Sequence, residues 1–146
     1  MKKLAVEFSL QAKKCDFPIQ KIRSSIDAAS FAKQIYGNDI LIYESAYIIL
    51  INSAGNTIGY AKISQGTINS TLIDVRLVAK YAIEALATGV ILIHNHPSGN
   101  TRPSVDDSNM ATRLKKALDL LNIRLLDSII ITDTENYYSF SDEGFI

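Results

Sequence analysis

The stretch VILIHNHPSGNTRPSVDD, residues 90–107, holds both histidines of the chain and two of its three prolines. Its first four residues form a short, continuous apolar run, which is typical of a strand buried on both faces. In an extended strand, residues two apart share a face, so His94 and His96 are expected to project to the same side at the end of this strand. Two imidazoles on one side can reach one ion.

The second half of the stretch supplies a carboxylate. Prolines and a glycine turn the chain, and Ser104 is expected to open a helix with Asp107 in its first turn. Asp107 can then face back toward His94 and His96. Two histidines and one aspartate leave the fourth position of a tetrahedral zinc ion open to water, as in catalytic sites. Zinc lowers the pKa of such a water to about 7.

Simpler interpretations of the same residues remain open at this point. A histidine at a strand end is more often a hydrogen-bonded polar residue than a metal ligand. Ser104 and Asp107 also fit the S-x-x-D/E capping box, in which both side chains bind backbone amides of the helix start. Asp106, beside Asp107, is favoured at a helix start by the helix dipole.

Outward from this stretch, predicted strands alternate with predicted helices. The strands are residues 4–8, 44–52, 57–64, 90–93, 123–132 and 137–140. The helices cover about 25–36, 74–87 with Gly89 just past the end, and a segment that begins at Ser104. This order predicts an α/β domain with a central sheet and helices on both faces, and residues 44–64 as a hairpin.

Composition restricts the class of protein. Hydrophobic residues make up 47% and charged residues 21% of the 146 residues, which is typical of one globular domain. No apolar run approaches the roughly 18 residues of a membrane span, and Glu7 interrupts the only leader-like segment, so we expect a cytoplasmic protein with no membrane partner. Cys15 is the single cysteine and has no partner for an intrachain disulfide. Fifteen basic and fifteen acidic residues cancel, which argues weakly against nucleic-acid binding.

The complete spacing H-x-H-x7-S-x2-D resembles the metal signature of the JAMM group of JAB1/MPN/Mov34 metalloproteases. The sequence HNHPSG (94–99) is similar to the corresponding sequence of bacterial RadC-like JAB domains in particular. The similarity runs from about residue 25 to the end and includes QGT (65–67), IRLLDSIII (123–131) and SFSDEG (139–144). It implies one JAB/MPN domain over residues 1–146, with a mixed central sheet flanked by helices in a layering like that of cytidine deaminases.

The resemblance also implies roles for individual residues. His94, His96 and Asp107 would be the ligands of one Zn²⁺ per chain. Glu44, at the head of ESAYIILIN, would be the general base that takes a proton from the zinc-bound water and returns it to the leaving amine. Ser104 would hold or polarise the oxyanion of a tetrahedral intermediate, a role expected to compete with its full use as a helix cap.

Two departures from the family pattern stand out. Many RadC-like proteins carry a helix-hairpin-helix region ahead of the JAB domain, whereas about 24 residues precede the similar part here, so no such domain is expected and a nucleic-acid partner is doubtful. Members commonly have Asp-His where this chain has Asp127-Ser128.

The leading hypothesis is therefore a zinc-dependent hydrolase of peptide or isopeptide bonds that acts on a peptide or protein substrate. The alternatives are a DNA-repair-associated RadC-like module with a structural or vestigial metal site, and a metal-dependent nuclease. Exposed edge strands such as YYSF (137–140) are further predicted to pair two copies as a homodimer or to bind an extended peptide by strand addition.

Overall fold

The computed structural model describes residues 1–66 and 73–146. The helices are α1 (Ser25–Ile35), α2 (Val75–Glu84) and α3 (Val105–Asp119), and a 3-10 turn covers Asn38–Leu41. The strands are β1 (Ser45–Ile51), β2 (Thr57–Gln65), β3 (Gly89–Asn95), β4 (Arg124–Ile131) and β5 (Tyr137–Ser139). Thr67 of the QGT motif lies outside the described residues. None of the helices in the described ranges is long and apolar enough to cross a bilayer.

The five strands form one mixed sheet in the order β2-β1-β3-β4-β5. β1 and β2 form the predicted antiparallel hairpin, β1 also pairs antiparallel with β3, β3 runs parallel to β4, and β5 returns antiparallel to β4. The predicted α/β class and mixed sheet are confirmed. YYSF contributes the edge strand β5, and its pairing with another chain stays a prediction.

Helices cover both faces of the sheet. On one face, Val90 and Leu92 of β3 pack in a cluster with residues of α2 and α3. On the other face, Ile91 and Ile93 pack against α1, which contributes Phe31 and several alanines. β3 is therefore buried on both faces, as its continuous apolar run predicts. This placement puts the end of β3, and with it the two histidines, at the edge of the core.

Two predictions about local structure are wrong. Residues 4–8 form no strand and are exposed, because a short apolar segment is compatible with an extended conformation but does not supply a strand to pair with. Gly89 does not follow the end of α2 but is the first residue of β3. The chain leaves α2 through Leu86, which has φ 52°, while the amide of Ala87 donates to the carbonyl of Ala82 at 2.9 Å, as in a Schellman motif.

Candidate metal centre

The two histidines lie at the end of β3. His94 is within the strand, and His96 follows it but still donates its backbone amide to the Ile131 carbonyl at 3.0 Å. The backbone therefore stays extended through both residues. His94 and His96 consequently lie on the sheet face of Leu92, which α2 and α3 cover.

Asp107 lies in the first turn of α3 and brings a carboxylate to both imidazoles. Its Oδ1 is 3.2 Å from His94 Nε2, and its Oδ2 is 3.2 Å from His96 Nε2. One ligand atom from each of the three residues can be chosen so that all lie within 4.8 Å of one another. His94 and His96 at the end of β3 and Asp107 at the start of α3 are thus close enough together to hold a metal ion.

The histidine nitrogens themselves fit a metal site. The His94 side chain is 5% exposed, and neither of its ring nitrogens has a hydrogen-bond partner among the described residues, since the approach of Asp107 is near in distance but not in hydrogen-bond geometry. His96 Nδ1 lies 2.7 Å from the carbonyl oxygen of Asn100. A carbonyl only accepts, so Nδ1 carries the proton, and in the neutral ring Nε2 keeps its lone pair for a metal.

Glu44 lies immediately before β1 and is half-buried. Ala46 lies opposite His94 in the antiparallel pairing of β1 with β3. Two residues further along the same register, Glu44 falls opposite His96 and on the same face of the sheet. Its carbonyl accepts the amide of Gly66 at 2.8 Å, which extends the hairpin ladder beyond the strand. A residue fifty positions upstream is thereby brought beside the histidine pair.

Interactions among these side chains outweigh the effect of burial on two pKa values of the cluster. Burial alone would raise the pKa of Asp107, but the interactions with His94 and His96 outweigh it and hold that pKa far below its ordinary value. Burial alone would lower the pKa of His96, but Asp107, the Asn100 carbonyl and the charge of Glu44 raise it above its ordinary value. Without metal, Asp107 is a carboxylate that attracts cations to this point.

Ser104 is exposed at the start of α3 and forms a complete capping box with Asp107. Its Oγ accepts the Asp107 amide at 3.0 Å, and its own amide donates to Asp107 Oδ2 at 2.8 Å. The cap uses the Ser104 oxygen as an acceptor and does not use the hydroxyl hydrogen. The expected competition between capping and a donor role therefore does not arise. Asp106 is exposed in the first turn and belongs to no metal-sized cluster of described residues.

Sequence reasoning assigned no role to Asp127, a buried residue of β4 whose side chain reaches β5 and the turn after it. Its Oδ1 accepts the amides of Ser128 at 2.7 Å and Ser141 at 3.0 Å, and its Oδ2 accepts the Ser139 hydroxyl at 2.6 Å. Burial, opposed by these hydrogen bonds, raises its pKa. An aspartate among the apolar residues of a strand was the available signal. Asp127 ties the edge strand to β4 rather than joining the metal cluster.

Sequence reasoning also missed Asn95, the residue between the two histidines. It is 0% exposed and points away from them, on the face of α1, because neighbouring residues of a strand alternate. Its carboxamide binds the segment that leads into β1. A polar residue inside a strand that is otherwise buried on both faces was the signal for a specific hydrogen-bonding role.

Comparison with known sequences gives a consistent result. The sequence model described as RadC-like JAB domain matches residues 22–145. A UPF0758 protein of Flavobacterium johnsoniae is 43% identical over 126 residues, which cover 86% of this chain and 54% of that protein. A UPF0758 protein of Thermotoga maritima is 35% identical over 125 residues, covering 86% of this chain and 54% of the relative.

The chain thus spans about half the length of these curated relatives. The matched range nevertheless includes all five strands, the three helices and the residues of the candidate metal centre. Because the match extends over most of the sequence, the chain belongs to the family of RadC-like JAB domains.

Proposed function

We propose that this chain is a zinc-dependent hydrolase of peptide or isopeptide bonds. The observation that carries the proposal is the pair of buried ring nitrogens of His94 that lack hydrogen-bond partners in the described residues, beside the Asp107 carboxylate. A buried polar atom without a partner costs free energy. A metal ion bound between His94, His96 and Asp107 would give the Nε2 atom of His94 a partner. Removing the cost of the unpaired atom would then favour metal binding.

The donor set supports zinc as the ion. Two imidazoles and one carboxylate match the borderline character of Zn²⁺, and three protein ligands are the number found at catalytic zinc sites. A zinc ion held there would supply a Lewis acid and a water that ionises near neutral pH. The Asn100 carbonyl on His96 Nδ1 is the kind of outer contact that orients a ligating histidine.

Two further residues of the chain have roles in this proposal. Glu44, opposite His96, takes a proton from the attacking water and delivers it to the leaving amine. Ser104, at the start of α3, directs its hydroxyl hydrogen to the oxygen of the carbonyl under attack. Glu44 is close enough to His96 for its charge to raise the pKa of that histidine, and Ser104 is hydrogen-bonded to Asp107 in the capping box.

Metal content tests the first half of the proposal. Protein stripped with a chelator and reloaded with Zn²⁺ should bind one ion per chain by elemental analysis, and His96→Ala should reduce this affinity strongly. Asp106→Ala is the matched control, because Asp106 neighbours Asp107 but lies outside the cluster. A folded wild-type protein without affinity for zinc would contradict the proposal.

Activity tests the second half. Zinc-loaded wild type is incubated with fluorogenic peptides and isopeptide-linked lysine substrates, and with a phosphodiester as the test of the nuclease alternative. Glu44→Gln should retain zinc and lose about 10²–10⁴-fold in kcat, the usual contribution of a general base. Glu84→Gln, an exposed change at the end of α2, should leave kcat unchanged. Cleavage of the phosphodiester alone would favour a nuclease instead.

A further inference from the structure

We propose that Asn95 is a positioning residue that fixes Glu44 relative to the two histidines. This inference rests on the proposed function, in which Glu44 is the proton carrier. It concerns a side chain that lies between the histidines in sequence but on the opposite face of the strand. The connection runs through the backbone on either side of Glu44.

The Asn95 carboxamide makes three short hydrogen bonds. Its Oδ1 accepts the Ser45 amide at 2.8 Å, and its Nδ2 donates to the Ile40 carbonyl at 2.8 Å and to the Tyr43 carbonyl at 2.7 Å. A longer bond from the Ser45 hydroxyl to the same Oδ1, at 3.4 Å, adds to these three, so that both amide hydrogens and the oxygen are used. The residue is 0% exposed, so water does not replace these bonds.

Two of these contacts enclose Glu44. The Tyr43 carbonyl belongs to the peptide group before the Cα atom of Glu44, and the Ser45 amide belongs to the peptide group after it. One carboxamide holds both peptide groups. The two peptide planes set the φ and ψ angles of Glu44 and hence the direction of its Cα–Cβ bond. The Glu44 carbonyl is held from the other side by the Gly66 amide.

A second side chain completes the clamp. The hydroxyl of Tyr36, at the end of α1, donates to the Ser45 carbonyl at 2.8 Å. Burial raises the pKa of Tyr36 far above its ordinary value, so the hydroxyl stays a donor. The amide and the carbonyl of Ser45 are thus both bound by side chains, from Asn95 and Tyr36.

The chemical demand on position 95 is specific. It needs an acceptor for one amide and two donors for two carbonyls within a short side chain, and asparagine provides this set. Aspartate of the same size keeps the acceptor but has no donor when ionised, and leucine of similar size has neither. Because Asn95 sits between His94 and His96, the same strand end that presents the imidazoles also sets the position of the base.

The test uses the full chain with Asn95→Leu and Asn95→Asp. Both should bind Zn²⁺ within about threefold of the wild type, because the three ligands are untouched, while kcat falls about 10²-fold, as expected for a displaced catalytic group, with little change in KM. Combined with Glu44→Gln, neither should lower kcat further. Asn52→Leu is the matched control, since Asn52 is likewise an asparagine whose carboxamide binds backbone groups: its Oδ1 accepts the amides of Ala54 and Asn56 at the opposite end of β1.

A readout without turnover separates this inference from the proposed function. In the wild type, the ¹³C signal of the Glu44 carboxyl should shift on addition of Zn²⁺, and in both Asn95 variants this shift should be lost, while Asn52→Leu keeps it. A wild type that shows the shift but hydrolyses nothing would refute the hydrolase and leave the positioning role standing.

Three results would overturn the inference itself. They are an unchanged kcat and carboxyl shift in folded Asn95 variants, a loss of zinc affinity comparable with that of His96→Ala, and strictly additive losses when Glu44→Gln is combined with Asn95→Leu. Failure of both variants to fold would assign Asn95 to folding instead of positioning and would overturn it as well.

Discussion

Ser104 and Asp107 bind each other reciprocally across the first turn of α3, with the Asp107 amide on Ser104 Oγ at 3.0 Å and the Ser104 amide on Asp107 Oδ2 at 2.8 Å. The same Oδ2 is 3.2 Å from His96 Nε2. The helix cap therefore also orients the candidate ligand. One of the two bonds comes from the Ser104 backbone, so it survives replacement of the side chain.

Because the Ser104 backbone holds Asp107 independently of the side chain, the role of the Ser104 hydroxyl can be tested by substitution. Ser104→Gly should cost only a few tenths of a kcal/mol, because glycine is tolerated at an N-cap, and zinc affinity should stay unchanged. If Ser104 acts as proposed, the kcat of Ser104→Gly should fall about 10²–10³-fold, the usual effect of removing one oxyanion donor. Ser104→Thr keeps the hydroxyl and should retain most activity. Equal kcat values for the glycine variant and the wild type would limit Ser104 to capping.

Zinc should stabilise the wild-type fold through His94. A ligand that binds only the folded state at 100 times its Kd adds about 2.7 kcal/mol to the free energy of unfolding. Increasing concentrations of Zn²⁺ should therefore raise the Tm of the wild type and leave that of His94→Ala almost constant. Thermal unfolding measures both. Asp106→Ala should respond as the wild type does. A zinc-dependent Tm in His94→Ala would show that the ion binds elsewhere.

The sequence analysis succeeded where a local pattern implies one structure. The apolar run before His94 predicted a strand buried on both faces, and period 2 predicted that His94 and His96 share a side. It failed where the outcome depends on a distant partner. Residues 4–8 are apolar enough to form a strand but pair with no strand in the described structure.

In the candidate site, too, local pattern predicted some residues, whereas others depend on partners that are distant in sequence. The position of Glu44 beside His96 depends on strand register, which no local pattern gives, and Glu44 was singled out in the sequence only by the family resemblance. Asn95 and Asp127 act through bonds to residues more than ten positions away, and composition or periodicity carries no information on such partners. A polar residue within an apolar strand was the only signal for both.

Asp127 should make stability depend on pH. Burial, opposed by its hydrogen bonds, raises its pKa in the folded protein, so its contribution to the free energy of unfolding is complete below the unfolded pKa and is lost as pH rises through the folded value. Asp127→Asn does not titrate. Its stability relative to the wild type should therefore increase between pH 4 and pH 7 in urea denaturation of metal-free protein.

A variant that removes the acceptors separates this titration from hydrogen bonding. Asp127→Ala leaves the buried Ser139 hydroxyl and the Ser128 and Ser141 amides without their partner. It should be less stable than Asp127→Asn by about 1–3 kcal/mol at every pH, because neither variant titrates at this position. A relative stability of Asp127→Asn that falls with rising pH would contradict the direction of the pKa shift.

Leu86 offers a gain in stability. It is 83% exposed and has φ 52° at the end of α2, a left-handed conformation that costs a residue with a Cβ atom roughly 1–2 kcal/mol. Glycine avoids this cost but adds freedom to the unfolded chain, so Leu86→Gly should raise the free energy of unfolding by about 0.5–1 kcal/mol. Leu120 is the matched control, because it is 87% exposed at the end of α3 with φ −63°. Leu120→Gly should instead destabilise the protein by up to about 1 kcal/mol. Urea denaturation of both variants measures the free energies of unfolding. If Leu86→Gly lost as much stability as Leu120→Gly, the leucine side chain, and not its backbone angle, would decide stability at the end of α2.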